Sequence, residues 1–403
     1  MISKFLLFRK FNNSFIVLDK LRKDIYFLEK KIYENLQNGN YEDIDDSSGF
    51  ITNILDYYYT NASELNLKSI RYQNYDSLDK AFSNFSIPIS CTIETTNACN
   101  LHCAHCYHGS SLNSKTELLS LELIESISDQ LYELGTIVVT LTGGEIFLRN
   151  DYSEILKYFS KHDFLIQVFS NGILLGKEER DNLDRFGVDL VQISLYGNNE
   201  FETEIQLNTN FKRAYKNLID AQQNSFTTVV VLTPFLNNFS FIQSLVKKLK
   251  SENIKYSFNI GLNPGRDFST KNLKQCIDYN KGYLQKLSYI GDVIKPKKRK
   301  SIHTKPCNAG RTIIHIDYKG NISPCISWPE YIGNAKEDLI KNIYTSEKMQ
   351  NIRLIKVSDI NKCRTCRNAL NCNICLGSNY LYSGDWRTPN EMLCKHVSIL
   401  RGL

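Results

Sequence analysis

Between residues 90 and 260 the chain alternates short runs rich in β-branched residues with longer stretches that place apolar residues at helical spacing. This alternation is typical of βα units around a parallel sheet. Ranges 119–134 and 240–252 are predicted helices, and Gly135 ends the first of them. The predicted strands are 91–94, 137–141, 164–169, 190–195, 227–232 and 256–260. These units predict an α/β fold built on a partial (β/α)6 TIM-like barrel, with its ligand site at the carboxyl ends of the strands.

The segment before the barrel has a different pattern. Ranges 4–11 and 14–19 alternate apolar and polar residues around Asn12-Asn13, which predicts a β-hairpin with 14–19 as its open edge. Ranges 24–37 and 50–59 place apolar residues on one helical face and are predicted helices. We therefore expect an N-terminal domain over 1–85, the barrel over 86–295 and a C-terminal domain over 296–403.

Composition excludes several classes of protein. With 403 residues, 42% of them hydrophobic, the chain is long enough for two or three domains. Charged residues interrupt the apolar N-terminus, unlike a signal peptide, and no apolar run approaches the roughly 18 residues of a membrane span. The net charge of +6 is spread out except at 295–300, a basic run predicted to be a solvated linker, with contact to an acidic partner as the alternative. We expect a cytoplasmic protein that binds neither membrane nor nucleic acid.

The twelve cysteines carry the candidate chemistry. In a long chain without a signal peptide they indicate metal or cluster ligands in a reducing compartment. Cys99, Cys103 and Cys106 follow the first predicted barrel strand with the spacing Cys-x3-Cys-x2-Cys. Three thiolates can hold a 4Fe-4S cluster and leave one iron open for chemistry. A zinc site is the alternative, but zinc usually takes four ligands from two separated cysteine pairs.

This run resembles the signature of the radical S-adenosylmethionine (SAM) superfamily. The resemblance implies that SAM binds the open iron and is reduced to a 5′-deoxyadenosyl radical, which removes a hydrogen atom from the substrate. It also implies SAM contacts at the cluster loop and later strand ends. The implied contacts are Tyr107, Gly143, Gly144, Glu145, Ser170, Asn171 and Ser194. The two glycines would let the backbone approach SAM, and Glu145 would accept hydrogen bonds from its ammonium group.

Seven cysteines after residue 300 resemble the SPASM domain, whose pattern holds two auxiliary 4Fe-4S clusters. A predicted hairpin with its turn at Lys319-Gly320-Asn321 would bring the first two of them together. By the resemblance, the ligands of auxiliary site one are Cys307, Cys325 and Cys375. Those of auxiliary site two are Cys363, Cys366, Cys372 and Cys394.

Some ligands and roles stay open at this point. Auxiliary site one lacks a fourth motif cysteine, and His303, Cys276 or the substrate could supply that ligand. Cys276 could also be a hydrogen-atom donor or an inert thiol, and Cys91 is predicted to be a buried core residue. The two Cys-x2-Cys pairs of the SPASM pattern would by themselves also suit a zinc knuckle.

The resemblance implies a radical SAM peptide-modifying enzyme. In layout, the N-terminal hairpin and helices resemble the winged-helix peptide-recognition element of maturases of ribosomally made peptides, where a leader peptide adds a strand to the hairpin. A structural lid or dimerisation piece is the alternative. The expected reaction is a thioether or carbon-carbon crosslink, or an epimerisation, in a precursor peptide, with flavodoxin or ferredoxin as reductant. The rivals are a formylglycine-generating sulfatase maturase and an iron-sulfur protein that only carries electrons or scaffolds a partner.

Overall fold

The computed structural model describes residues 6–11, 14–19, 25–28, 30–38, 87–103, 105–106, 110, 116–197, 210–233, 238–259 and 299–401. In these ranges the strands form two sheets, one near the N-terminus and one of nine strands. No helix in the same ranges is long and apolar enough to cross a membrane.

The N-terminal sheet has three antiparallel strands. Strands β1 (Leu6–Phe11) and β2 (Ser14–Asp19) form the predicted hairpin, and β3 (Ile25–Leu28) pairs with the other side of β2. Helix α1 (Lys30–Asn38) follows. The hairpin prediction is confirmed, but β2 is the central strand, so the prediction that 14–19 is the open edge is wrong.

The helix prediction for 24–37 is wrong over its first turn. Residues 25–28 read Ile-Tyr-Phe-Leu, a run of strand-forming residues that pairs with β2, and the helix begins only at Lys30. Apolar spacing alone cannot separate such a short run from a helical turn. The predicted helix over 50–59 lies outside the described residues.

The predicted barrel sheet is confirmed. Its six parallel strands lie side by side in chain order, and each lies within two residues of its predicted bounds. They are β4 (Ser90–Glu94), β5 (Val138–Thr142), β6 (Leu165–Ser170), β7 (Leu190–Leu195), β8 (Thr227–Leu232) and β9 (Lys255–Phe258). One helix precedes each of the last five strands. These are α2 (Leu121–Glu133), α3 (Tyr152–Ser160), α4 (Lys177–Arg185), α5 (Phe211–Asp220) and α6 (Phe239–Ser251).

The same sheet continues beyond β4 into the C-terminal region. Strand β10 (Ile313–Ile316) pairs parallel with β4, and β11 (Asn321–Ser323) and β12 (Gly333–Asn334) extend it antiparallel. The predicted C-terminal hairpin is therefore confirmed as β10 and β11. Its first strand also joins the barrel, which places the C-terminal cysteines beside the barrel rather than in a detached domain.

A second, smaller core supports the C-terminal cysteines. It is built around Trp328, Val357 and Ile360, each fully buried, and it includes Cys363. The helices of this region are α7 (Ile340–Thr345), α8 (Glu347–Leu354), α9 (Leu376–Ser383) and α10 (Glu391–Arg401). Strands β10 and β11 belong to the barrel core through Ile314, Ile316 and Ile322, and Ile332 packs against both cores.

Arg9 on β1 holds the N-terminal sheet against the barrel. Its side chain is 3% exposed; Nε donates to the carbonyl of Thr136 at 2.9 Å, and Nη1 pairs with Asp163 Oδ1 at 2.5 Å. The other oxygen of Asp163 accepts the Phe8 N–H at 3.1 Å. The outer side of β1 is therefore occupied by the barrel, and β3 is the outer strand at the opposite side of this sheet.

Candidate active site

The loop after β4 carries the first three cysteines and is pinned at its base. The Thr95 N–H donates to the carbonyl of Thr142 at the end of β5 at 2.8 Å, and the Leu119 N–H donates to the Thr95 carbonyl at 3.1 Å. The Arg149 side chain, 5% exposed, donates from Nη1 to the carbonyls of Thr95 (2.7 Å) and Leu119 (2.8 Å). Asp151 holds Arg149 from the other side, at 2.7 Å from Nε, and this hydrogen bond lowers the pKa of Asp151. No sequence pattern indicated Arg149, because the two carbonyls that it binds lie 54 and 30 residues away along the chain.

The two glycines after β5 lie against the backbone of this cluster loop. The Gly144 N–H donates to the Thr96 carbonyl and the Glu145 N–H to the Ala98 carbonyl, both at 2.8 Å. A Cβ on Gly144 would lie 2.2 Å from the Ala98 oxygen, and one on Gly143, whose φ is +153°, would lie 2.5 Å from the Thr96 oxygen. Glycine is required here because two backbones touch. These glycines were predicted to let the backbone approach a ligand. In the structure they also let it approach the backbone of the cluster loop.

A cavity of about 360 Å³ opens at the carboxyl ends of the barrel strands, as predicted. Cys99, Cys103 and Cys106 all border it; the first two are buried and the third is half-buried. The other predicted residues that line it are Gly143, Gly144, Ser170, Asn171 and Ser194. Tyr107 lies outside the described residues. Glu94 and Asn259 also line the cavity, and sequence reasoning had missed both.

Glu145 is placed differently from the other predicted SAM contacts. Its side chain is fully buried and is not among the residues that line the cavity. Its carboxylate accepts hydrogen bonds from Ser170 Oγ (2.9 Å), the Asn171 N–H (2.8 Å) and the Phe147 N–H (3.3 Å). Burial raises the pKa of Glu145 to about 7, while these hydrogen bonds lower it. Glu145 therefore ties the end of β5 to the end of β6, and a cation in the cavity would favour its ionised form.

Asn171 connects the end of β6 to the cluster loop. Its Nδ2 donates to Asn100 Oδ1 at 2.7 Å, and its Oδ1 accepts the Ile173 N–H at 3.0 Å. Ser170 Oγ accepts the Gly172 N–H at 2.9 Å while it donates to the buried carboxylate. Both predicted polar residues thus shape the cavity through contacts within the protein.

Two aromatic rings pack beside the three cysteines. The rings of His105 and Tyr196 lie 4.8 Å apart between centroids. Burial lowers the pKa of His105 to about 4. Burial, followed by the negative charges of Cys103, Cys106 and Cys99, raises the pKa of Tyr196. Both rings are therefore neutral near pH 7 and add no charge to the thiol cluster.

The seven SPASM-type cysteines fall into two groups in space. Burial and the charges of Cys375 and Cys307 raise the pKa of Cys325, so these three lie together. Cys375 Sγ also accepts the Ser378 N–H at 3.3 Å, at the start of α9, where the helix dipole favours a thiolate. The structure therefore brings together the three cysteines that the resemblance assigned to auxiliary site one.

The remaining four cysteines form the second group. Burial raises the pKa of Cys363 to about 12, with smaller contributions from the charges of Cys394, Cys372 and Cys366. These are the four that the resemblance assigned to auxiliary site two. None of the eleven cysteines in the described ranges forms a disulfide.

The donor set suits iron-sulfur clusters, since soft thiolates are their usual protein ligands. No three His, Cys, Asp or Glu side chains in the described ranges are close enough to share one metal ion. Each cysteine of a 4Fe-4S cluster binds its own iron, so its thiols need not meet at one point. Cys91 is fully buried in β4, which confirms it as a core residue, and the burial raises the pKa of its thiol. Cys276 lies outside the described residues.

Comparison with known proteins decides the family. A sequence model of the Radical SAM superfamily matches residues 93–266, which include the cluster loop and all of the cavity's strand ends. The chain contains a radical SAM domain. A second model, that of the iron-sulfur cluster-binding SPASM domain, matches residues 307–368. SAM and a 4Fe-4S cluster are the cofactors of this superfamily, and the SPASM domain binds auxiliary iron-sulfur clusters.

Relatives of this radical SAM enzyme include two proteins of Bacillus subtilis. The antilisterial bacteriocin subtilosin biosynthesis protein AlbA is 25% identical over 315 residues, which cover 72% of this chain and 68% of AlbA. The sporulation killing factor maturation protein SkfB is 26% identical over 279 residues, which cover 66% of this chain and 67% of SkfB. The first name describes a protein of bacteriocin biosynthesis, and the second a protein that matures a killing factor.

A solved structure, SuiB of Streptococcus suis bound to S-adenosylmethionine, has the same fold. Its TM-score is 0.66 at 16% sequence identity, and the match covers 98% of this chain and 99% of SuiB. SuiB has also been solved bound to the precursor peptide SuiA, with a TM-score of 0.65. The predicted partial barrel and SPASM domain are thus confirmed, whereas the winged-helix assignment of the N-terminal domain stays a prediction.

The contact between Gly144 and the cluster loop leads to a first prediction. Gly144→Ala should slow SAM cleavage by about 10²-fold, because the added methyl group must push the Ala98 carbonyl and displace the adjacent Cys99 by an ångström or so. The measurement is 5′-deoxyadenosine release by the reconstituted, dithionite-reduced enzyme. Gly176→Ala is the matched control, since its φ of −74° suits alanine and its added Cβ comes close only to the flexible end of the Glu179 side chain. Equal cleavage rates in the two variants would contradict the prediction.

Proposed function

We propose that this radical SAM enzyme modifies a ribosomally made precursor peptide by forming a thioether or carbon-carbon crosslink, or by epimerising a residue. The observation that carries the proposal is that one cavity borders both the SAM-cluster cysteines and the loop of auxiliary site one. The three cluster-loop cysteines line its barrel side, and Ile326 and Ser327 line its SPASM side. Those two residues directly follow Cys325 of auxiliary site one. A peptide side chain in this cavity would lie between the SAM cluster and an electron acceptor.

When bound, SAM and its cluster supply hydrogen-atom abstraction, and the auxiliary clusters supply an electron acceptor. A crosslink removes two hydrogens from the peptide: one leaves as an atom, and the other leaves as a proton and an electron. Glu94, 3% exposed and lining the cavity, offers Oε1 to that proton. Its Oε1 lies 3.4 Å from His315 Nε2, and His315 Nδ1 lies 3.0 Å from Ser323 Oγ. These three side chains form a buried polar row beside the cavity.

The N-terminal sheet supports recognition of an extended peptide. Strand β2 is paired on both sides, and the outer side of β1 is taken by Asp163. This leaves β3 as the outer strand of the described sheet. An edge strand presents main-chain donors and acceptors to which a leader peptide can add a strand. We therefore assign leader binding to β3 rather than to the strand expected from sequence.

The proposed function also implies a division into domains, a reductant and a cellular compartment. The proposed domains are residues 1–85 for peptide recognition, 86–295 for the radical SAM barrel and 296–403 for the SPASM region with two auxiliary clusters. A flavodoxin or ferredoxin would supply the electron that starts each turnover. Twelve cysteines and three clusters require a reducing compartment, so we place the enzyme in the cytoplasm. The match to AlbA and SkfB, and the fold shared with SuiB, favour a peptide maturase over an electron carrier.

The deciding experiment combines the anaerobically reconstituted enzyme, SAM and reductant with short peptides encoded by neighbouring reading frames. Mass spectrometry should show a peptide that has lost two hydrogen atoms and is linked between two residues. Deuterium uptake from D2O without that loss would identify epimerisation. Formation of an aldehyde at a Cys or Ser of a sulfatase-derived peptide would instead establish the formylglycine-generating rival. SAM cleavage with every peptide left unchanged would count against the proposed function.

A further inference from the structure

We propose that Arg299 holds the two auxiliary sites at a fixed spacing and makes both clusters easier to reduce. The proposal rests on the assignment of the seven SPASM cysteines to two clusters. Arg299 belongs to the basic run 295–300, which sequence patterning had assigned to a solvated linker. The structure instead turns this side chain inward, between the two ligand groups.

The Arg299 side chain bridges one ligand loop of each site. Its Nη1 donates to the carbonyl of Cys372, a ligand of auxiliary site two. Its Nη2 donates at 2.6 Å to the carbonyl of Pro306, directly before Cys307 of auxiliary site one. The Arg299 N–H also donates to the Leu370 carbonyl at 2.7 Å, which fixes the backbone from which the side chain extends. A planar guanidinium can bond to two loops at once.

The charge of Arg299 acts on both sites. The residue is half-buried, so solvent screens its charge only in part. Burial lowers the pKa of Arg299, and the negative charges of Cys372, Cys307 and Cys363 act in the opposite direction. An arginine stays protonated in proteins, so this positive charge is fixed. Reduction adds one negative charge to a cluster, and a fixed cation nearby stabilises that reduced form.

The consequence concerns the electron that leaves the peptide. Raising the potentials of both auxiliary clusters together makes them better acceptors of that electron. Holding their ligand loops on one side chain keeps the distance between them constant during turnover. Arg299 is therefore a positioning and electrostatic residue for the oxidative step, and it does not need to touch the substrate.

The test measures cluster potentials and needs no substrate. The parent protein is the full-length variant with Cys99, Cys103 and Cys106 replaced by alanine, which should hold about eight iron atoms in its two auxiliary clusters. Redox titration followed by electron paramagnetic resonance gives both midpoint potentials in the parent and in R299Q, R299K and K300Q. Lys300→Gln is the matched control, because it removes one positive charge from the adjacent, exposed residue.

We expect R299Q to shift the reduction equilibrium of both clusters about tenfold toward the oxidised form, or about 59 mV for one electron. K300Q should shift it by less than about twofold on the same scale, and R299K should keep potentials close to the parent. Equal potentials in R299Q and K300Q, or a shift in one cluster alone, would overturn the proposal.

If R299Q does not bind its full complement of iron, the R299K variant tests the charge role instead. Parental iron content and potentials in R299K support the charge role, whereas lost iron or lowered potentials overturn it. A parent variant that holds far fewer than about eight iron atoms would refute the cluster assignment rather than the role of Arg299.

Discussion

Replacing Cys99, Cys103 and Cys106 together by alanine is expected to abolish SAM cleavage while about two-thirds of the iron stays in the protein. These three cysteines border the cavity at the barrel strand ends, whereas the SPASM cysteines pack with a separate core around Trp328. The SAM cluster should therefore be lost without the auxiliary clusters. Release of 5′-deoxyadenosine after dithionite reduction measures cleavage, and a colorimetric assay measures iron.

Cys91→Ala is the control, because it removes a cysteine that does not belong to the cluster loop. Cys91 lies in β4, only a few residues before the cluster loop, and it is fully buried in the barrel core. Its replacement should cost some stability by leaving a small cavity, but cleavage should stay near the wild-type rate. Cleavage by the triple variant at the rate of Cys91→Ala would refute the assignment of the catalytic cluster to this loop.

A single proline in β3 should weaken peptide binding and slow peptide modification while SAM cleavage stays unchanged. Adjacent residues of a strand direct their N–H groups to opposite sides, so of Tyr26 and Phe27 one donates toward β2 and the other toward the open side. Proline at the outward-facing position removes a donor that a leader peptide would use. We expect about a tenfold or greater loss of peptide affinity and an unchanged content of all three iron-sulfur clusters. Fluorescence anisotropy with a labelled precursor peptide measures binding.

The two proline variants also distinguish recognition from a purely structural role. Proline at the inward-facing position breaks the ladder with β2, and hydrogen exchange should show that the N-terminal sheet opens. Alanine at the same two positions keeps every main-chain donor and should bind peptide much more strongly than the outward-facing proline variant. If both proline variants modify the precursor at the wild-type rate, leader binding at β3 is wrong and the lid or dimerisation reading is favoured.

The features that depend on local patterns could be predicted from the sequence. Alternation of apolar and polar residues defined the hairpin of β1 and β2 and the six βα units, because strand and helix periods are readable within a few residues. The cysteine spacing marked the loop of Cys99, Cys103 and Cys106, because cluster ligands within a loop need fixed separations along the chain. The two SPASM groups, and Gly144 and Ser194 as SAM contacts, were predicted only by resemblance to known families.

Contacts between segments distant in sequence became visible in the three-dimensional structure and could not be predicted. The pairing of β10 with β4 brings the SPASM region to the cavity, and both strands look alike as short apolar runs. Arg149 and Arg299 act through main-chain carbonyls, and a carbonyl is present at every residue, so no sequence signal marks such a partner. The central place of β2 depended on whether 25–28 paired as a strand or coiled as a helix. Local propensity leaves that choice open, and packing against the neighbouring strand settles it, since pairing satisfies main-chain groups that a lone turn would expose to solvent.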